Sequence, residues 1–211
     1  MRAADREPKE WVDGFLFVGN RLILDFLNTK PVLDAGPTEL LADTHALERW
    51  LIASGLAETV KAKRLLRGWR VSEAAKVFLK HLIAFRERLR SAVVRMEGGT
   101  LPAESFVAEV NALLMEHPGR THLSRRDGAI VRERKFEPCA PEDFWGPIVE
   151  DAAELLAETE PARLRKCEAC VVHFFDTSKK GSRRWCSMNL CGNKLKVAAY
   201  QQRRRKRSPA Y

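Results

Sequence analysis

CEACVVHFFDTSKKGSRRWCSMNLC, residues 167–191, holds four of the chain's five cysteines, and GNKLKVAAYQQRRRKR follows with seven lysines and arginines in sixteen positions. The spacing is Cys167-x2-Cys170-x15-Cys186-x4-Cys191. Two close pairs are separated by an interval long enough for a hairpin, which lets four thiolates converge on one tetrahedral ion. Cys167, Cys170, Cys186 and Cys191 are therefore expected to bind one structural Zn2+ per chain. Four sulfurs leave no open position for a reactive water. In a segment this small the metal stands in for a hydrophobic core, so binding and folding are coupled. His173 is a nearby alternative donor, but the four cysteines already satisfy the ion. Clustered thiols, with Cys139 standing alone in EPCAPED, fit a metal site in a reducing compartment better than a disulfide framework.

Within this segment VVHFFDTS reads as a strand, KKGS as a turn, and SRRW as the return strand that delivers Cys186. After Cys191 the residues favour a helix with Leu195, Ala198 and Ala199 on one face and Lys194, Lys196, Tyr200, Arg203 and Arg204 elsewhere around it. Such a helix is sized for a major groove. Arg183 and Arg184 precede the third ligand, where zinc would hold their backbone rigidly for phosphate or guanine contacts. Trp185 is expected to pack on the knuckle, and Asp176 to cap a turn or pair with Arg183 or Arg184.

Moving outward, the charge changes sign. Residues 163–211 carry fourteen Lys and Arg against Glu168 and Asp176, a net of +12, whereas residues 1–162 are net −3. A mildly acidic body with a strongly basic end is expected of a protein whose C-terminal part meets a polyanion. No run of eighteen apolar residues occurs, and MRAADREPKEW is charged where a signal peptide needs an apolar stretch. A soluble, cytoplasmic protein without a membrane partner is expected.

The body reads as mostly helical. GFLFVGNRLILDFLNT has two apolar runs flanking Gly19-Asn20, which predicts a hairpin over about Phe15 to Leu27. Asp43 caps a helix carrying Leu47, Trp50 and Leu51, with Gly55 as its stop. Phe78, Leu82, Phe85, Leu89, Val93 and Met96 mark a long helix from Ser72 to about Met96, before the stop Gly98-Gly99. Pro102 opens another helix, Asp127-Gly128 turns a second hairpin, and Pro141 starts a last helix. The expected fold class is α+β: a mainly helical N-terminal domain with two short β-hairpins (1–160), plus a small C-terminal zinc-binding hairpin-and-helix module (161–211), divided at Glu160-Pro161.

Catalytic constellations are missing from the sequence. His45, His81, His117 and His122 are scattered, and GxSxG, HExxH and Gly-rich phosphate motifs do not occur. The chain is not expected to be an enzyme. Asp25, Asn28 and Thr29 interrupt the apolar run in LDFLNT. They form either a strand-end turn or cap, or part of a small-molecule effector pocket, and the residues alone leave both readings open.

The run FFDTSKKGSRRWCSMNLCGNK, preceded by CxxC, closely resembles the CGNR-type zinc finger at the C-terminus of a family of bacterial transcription regulators, over about Lys166 to Arg204. The body resembles the ABATE-type domain that accompanies this finger, through GNRLILDFLNT and the central helix carrying FRERLR. The resemblance implies a DNA-binding finger and an N-terminal domain linked to stress-induced regulation. It carries the metal ligands to Cys167, Cys170, Cys186 and Cys191, and the DNA-facing candidates to Arg183, Arg184, Asn193 and Lys194. Lys194 stands where the family's motif ends in arginine, so the bidentate fork is lost there while a phosphate contact is retained. The basic residues of the expected helix add Lys196, Arg203 and Arg204. The leading expectation is a transcription regulator that binds double-stranded DNA, with a body that senses a signal or supplies a homodimer contact. The alternative is a zinc-dependent RNA-binding or protein-interaction module that reads no DNA sequence.

Overall fold

The computed structural model describes residues 10–33, 36–119, 121–134, 136–158 and 160–193. Strands β1 (Trp11–Val12) and β2 (Phe15–Leu16) precede helix α1 (Leu22–Leu27) and strands β3 (Val32–Leu33) and β4 (Gly36–Pro37). Helices α2 (Thr44–Ala53), α3 (Val60–Trp69), α4 (Glu73–Glu97) and α5 (Glu104–Glu116) follow. Strands β5 (Thr121–Arg126) and β6 (Ala129–Arg134), helix α6 (Trp145–Leu156), and strands β7 (Leu164–Lys166) and β8 (His173–Phe175) complete the order. The four strand pairs are separate antiparallel ribbons, each joining consecutive strands. The fold is thus α+β and mainly helical, with short hairpins.

Helix α4 is the spine. Its apolar stripe, Phe78 to Met96, is buried as the periodicity requires, and at about 1.5 Å per residue the helix runs about 37 Å. Ser72 Oγ accepts the Ala75 N–H at 3.1 Å to cap its start. Asp43 caps α2 through the Ala46 N–H at 2.7 Å, and Gly55 beyond its end is left-handed at φ 83°. A file of aromatic rings ties α3, α5 and α6 to α4. Trp69 meets Phe78 at 5.1 Å, Trp145 meets Phe78 at 5.5 Å and Phe85 at 5.4 Å, and Phe106 meets Phe85 at 5.5 Å. Each such pair adds about 0.5–1.5 kcal/mol beyond its buried area.

The hairpin at Asp127-Gly128 forms as expected, but the one over Phe15 to Leu27 does not. Leu22–Leu27 is helical, and the hairpin lies earlier, turning through Asp13 (φ 50°) and Gly14 (φ 81°) with Val12 opposite Phe15. The cause is tertiary. Asp25 Oδ1 reaches back to accept the Gly19 N–H at 2.7 Å, fixing the turn before the helix, and Asp151 of α6 accepts the Ile23 N–H at 2.6 Å, satisfying a donor that a helix start leaves open. Gly19 is needed there, because a Cβ would sit 2.7 Å from Leu24 Cβ and 2.8 Å from the Asp25 nitrogen.

Two groups of buried side chains result. The larger is built on α1, α2, α4, α5 and α6 and includes Phe15 and Leu164. The smaller contains Leu16, Val18, Cys167, Val172, Phe174, Cys186 and Cys191. Alternate residues of the run Phe15–Val18 therefore serve different cores.

Candidate metal centre

Strand β8 pairs with β7, Lys166 opposite His173, so that Cys167 and Cys170 sit in the connection between them. This corrects the expected strand pairing: the SRRW residues form no strand and instead cross the knuckle, where the Arg184 carbonyl accepts the Glu168 N–H at 3.1 Å. The Cys167 N–H donates to the Val172 carbonyl at 2.8 Å, and Val171 is left-handed at φ 55°. A β-branched residue in that region is strained by about 1–2 kcal/mol. Ser187 Oγ accepts the Asn189 and Leu190 N–H groups at 3.0 and 3.3 Å, starting the single wide helical turn Met188–Gly192 that carries Cys191.

All four sulfurs lie within 4.8 Å of one another. Cys186 Sγ is 3.6 Å from that of Cys170 and 3.7 Å from that of Cys191. Ligands at about 2.3 Å from a tetrahedral zinc are about 3.8 Å apart, so the cluster has the size the ion requires. The electrostatics agree. Hydrogen bonds from Cys170 and Cys186 favour the Cys167 thiolate and depress its pKa. Hydrogen bonds to Cys167 and Cys170 push Cys186 up, and burial pushes Cys191 up to about 12. Only a cation at the centre lets all four ionise together. The four cysteines fit one structural zinc, which would tie the β7–β8 connection to the Met188–Gly192 turn, with no position left for catalysis.

The side chains around the sulfurs have distinct tasks. Asp176 is buried and accepts the Arg183 N–H at 2.7 Å and the Ser178 N–H at 2.9 Å. Burial raises its pKa, but those bonds outweigh burial and hold it below the usual carboxylate range. Arg183 turns inward: its guanidinium donates to the Cys186 carbonyl and lies 5.1 Å from the Phe174 ring centre. Arg184 points outward, its side chain 64% exposed and paired with Glu168. Trp185 packs over Gly192, whose missing side chain leaves room for it and for Met188. Asn193 is exposed at the end of the turn. Lys194, Lys196, Arg203 and Arg204, with the expected basic helix, lie outside the described residues. His173 is buried away from the metal cluster, Nδ1 2.8 Å from Glu97 Oε1 at the end of α4.

Of Asp25, Asn28 and Thr29, only Asn28 bonds across to this module, while Asp25 and Thr29 are held within the body. The Asn28 amide donates to the His173 carbonyl at 2.8 Å and accepts the His173 N–H at 3.0 Å, pairing with β8 as a strand would. The Phe175 N–H donates to the Gly19 carbonyl at 2.8 Å, Asn20 Nδ2 donates to the Phe175 carbonyl at 2.8 Å, and Arg21 stacks on the Phe175 ring. Thr29 Oγ1 donates to the Phe26 carbonyl at 2.7 Å and accepts from the fully buried Arg86 at 2.8 Å. Arg86 is also bound by Glu39 and Glu87. Burial pushes Asp25 up to about 7, against hydrogen bonds from Gly19 and Val18 and with the Asp151 charge adding to the rise. The two stretches that carry the body's family resemblance are thus in contact: GNRLILDFLNT receives β8, and the Arg86 of FRERLR anchors its far end.

Leu16, Val18, Glu97 and Glu39 complete this arrangement without a local signature. The unbroken apolar run FLFV was the one available clue to Leu16 and Val18, since a strand buried on both faces lacks alternation.

A mainly helical α+β body joined to a compact four-cysteine zinc centre defines the class of protein. Residues 20–159 match the ABATE family model, described as "Putative stress-induced transcription regulator", and residues 163–204 match the CGNR zinc finger. The chain belongs to the ABATE family. Comparison with curated proteins gives no match. Among the described residues no helix is long and apolar enough to cross a membrane.

Proposed function

We propose that this protein is a cytoplasmic, non-enzymatic transcription regulator that binds double-stranded DNA through its zinc module. In this reading residues 1–160 form a body that senses a small-molecule signal or supplies a homodimer contact, and residues 161–211 form the DNA-binding unit. The observation that carries it is a preformed four-sulfur site inside a segment of net charge +12. A polyanion meets such a surface by releasing counterions, and each neutralised phosphate contributes about 0.9 to the logarithmic salt slope. Cys167, Cys170, Cys186 and Cys191 hold the ion. Arg184 is the arginine the described part of the finger leaves accessible, and Arg183 supports it by bracing the loop. Asn193, Lys194, Lys196, Arg203 and Arg204 extend the contact along the chain that follows.

The test is selection of genomic fragments by the zinc-loaded protein at low and moderate salt. A reproducible motif that persists at moderate salt is the expected result. Enrichment without a motif, lost as salt rises, would reduce the finger to a polyanion holder and overturn the sequence-reading role. Equal selection by a Cys186→Ser chain would remove zinc from the mechanism.

A further inference from the structure

The β5–β6 ribbon plays no part in the metal centre or its attachment. Its turn residues Asp127 (φ 52°) and Gly128 (φ 80°) are both left-handed, which matches the twist of a tight two-residue hairpin. Pairing of Leu123 with Arg132 and of Arg125 with Ile130 puts these four on one face, together with the Thr121–Arg134 pair of positions. The opposite face has Ser124 paired with Val131, the ribbon's half-buried residues, and Arg126 with Ala129.

The first face is open to solvent: Leu123 is 64% and Ile130 62% exposed, and Arg125 and Arg132 are exposed beside them. Neither acid of the ribbon holds a position on it, since Asp127 is in the turn and Glu133 takes the register position opposite His122. Residues 120–135 hold six Lys and Arg against these two acids, within a stretch 1–162 that is net negative. The positive charge is therefore local to the ribbon. A free face that joins arginines to two large apolar side chains calls for a partner with both anionic and apolar surface. The major groove of a DNA duplex offers phosphates along its rims and thymine methyls on its floor, and it admits a two-stranded β-ribbon.

We propose that this face of the ribbon is a second duplex-DNA contact, separate from the zinc module, with Arg125 and Arg132 on phosphates and Leu123 and Ile130 toward the groove. Guanidinium groups suit the role because they meet phosphate through two parallel hydrogen bonds. The proposal rests on the DNA-binding reading of the finger but uses none of its residues.

The experiment measures binding of the full-length, zinc-loaded chain to a mixed-sequence duplex by fluorescence anisotropy over a salt series. The variant Arg125→Glu/Arg132→Glu is compared with a charge-matched control, Arg64→Glu/Arg67→Glu, on the exposed face of α3. The ribbon variant is expected to lose at least about tenfold more affinity than the control and to lower the salt slope by about 1.8, two contacts at about 0.9 each, with zinc content unchanged. Equal effects in the two variants would overturn the ribbon contact while leaving the finger's role intact, which Cys186→Ser reports separately. Absence of duplex binding by the unmodified chain would overturn both. If charge reversal disturbs the fold, Arg125→Gln/Arg132→Gln carries the same comparison at half the charge change, with a slope loss still expected. Unchanged duplex binding alongside lost binding to polyglutamate would assign the face to an acidic protein and overturn the proposal.

Discussion

In the larger core, Trp50, Phe26 and Phe85 are fully buried among other apolar side chains, whereas three of the seven buried residues of the smaller core are cysteines. The first is held by area removed from water and by ring packing. The second has Leu16, Val18, Val172 and Phe174 for its apolar contribution, too little for a stable unit without a metal. They are joined by apolar residues that cross over, Leu16 and Val18 into the smaller core and Leu164 into the larger, and by the polar pairing of Asn28 with β8 and the His173–Glu97 contact. Burial gives the body stability on its own, the metal gives the module shape on demand, and the hydrogen bonds fix how one is held by the other.

The contrast is broken most severely by Cys186→Ser. Structural zinc in small modules contributes on the order of 10 kcal/mol, so zinc content should fall from one per chain to near zero. Amide exchange across 164–193 should approach unfolded rates while α4 stays protected. Persisting protection in 164–193 would mean the small core does not depend on metal. Next in size, Arg86→Met leaves the Glu39 carboxylate half-buried without its partner, and urea unfolding should show a loss of about 3–5 kcal/mol. Restoring part of that loss with Glu39→Gln would assign it to the unpaired charge.

Asn28→Ala removes both bonds to His173 and should cost about 2–3 kcal/mol. Its signature is local, because exchange at His173–Phe175 should quicken and zinc retention weaken while α5 and α6 are unchanged. A uniform loss across the molecule would make Asn28 part of the body alone. A fourth effect is set by pH. Because the Asp25 carboxyl is raised from 3.8 to about 7 on folding, the folded chain binds more protons than the unfolded one between these values. Its contribution to stability is therefore greatest below about pH 4, falls as pH rises through this window, and stays lost above about 7. Asp25→Asn keeps an acceptor for the Gly19 N–H, so it should melt nearly like the parent at pH 4 and be more stable by roughly 4 kcal/mol at pH 8. Identical melting profiles would mean that Asp25 does not titrate in this window.

Features with local causes were legible in the sequence. The cysteine spacing, the stripe of α4, the Asp43 cap and the Asp127-Gly128 turn each depend on residues a few positions apart. Features settled across the fold were not. LILDFL looks like a strand because its apolar residues are contiguous, and it becomes α1 because Asp151, more than a hundred residues away, caps it. SRRW looks like the partner of VVHFFDTS by proximity, while β8 pairs backward with β7, a three-residue strand too short to announce itself. Asp25, Asn28 and Thr29 were identifiable as polar residues in an apolar run. Their partners were not, because Arg86 and His173 reach them only after α4 and β8 are in place.

The run Phe15–Val18 has a consequence for the chain as it is made. Phe15 can enter its core once the helices have been synthesised, but Leu16 and Val18 face residues encoded about 150 positions later. At about 5–20 residues per second, translation leaves that side of the strand uncovered for roughly ten to thirty seconds, until Cys167 to Cys191 emerge and acquire their ion. Zinc supply during synthesis therefore decides when Leu16 and Val18 are buried.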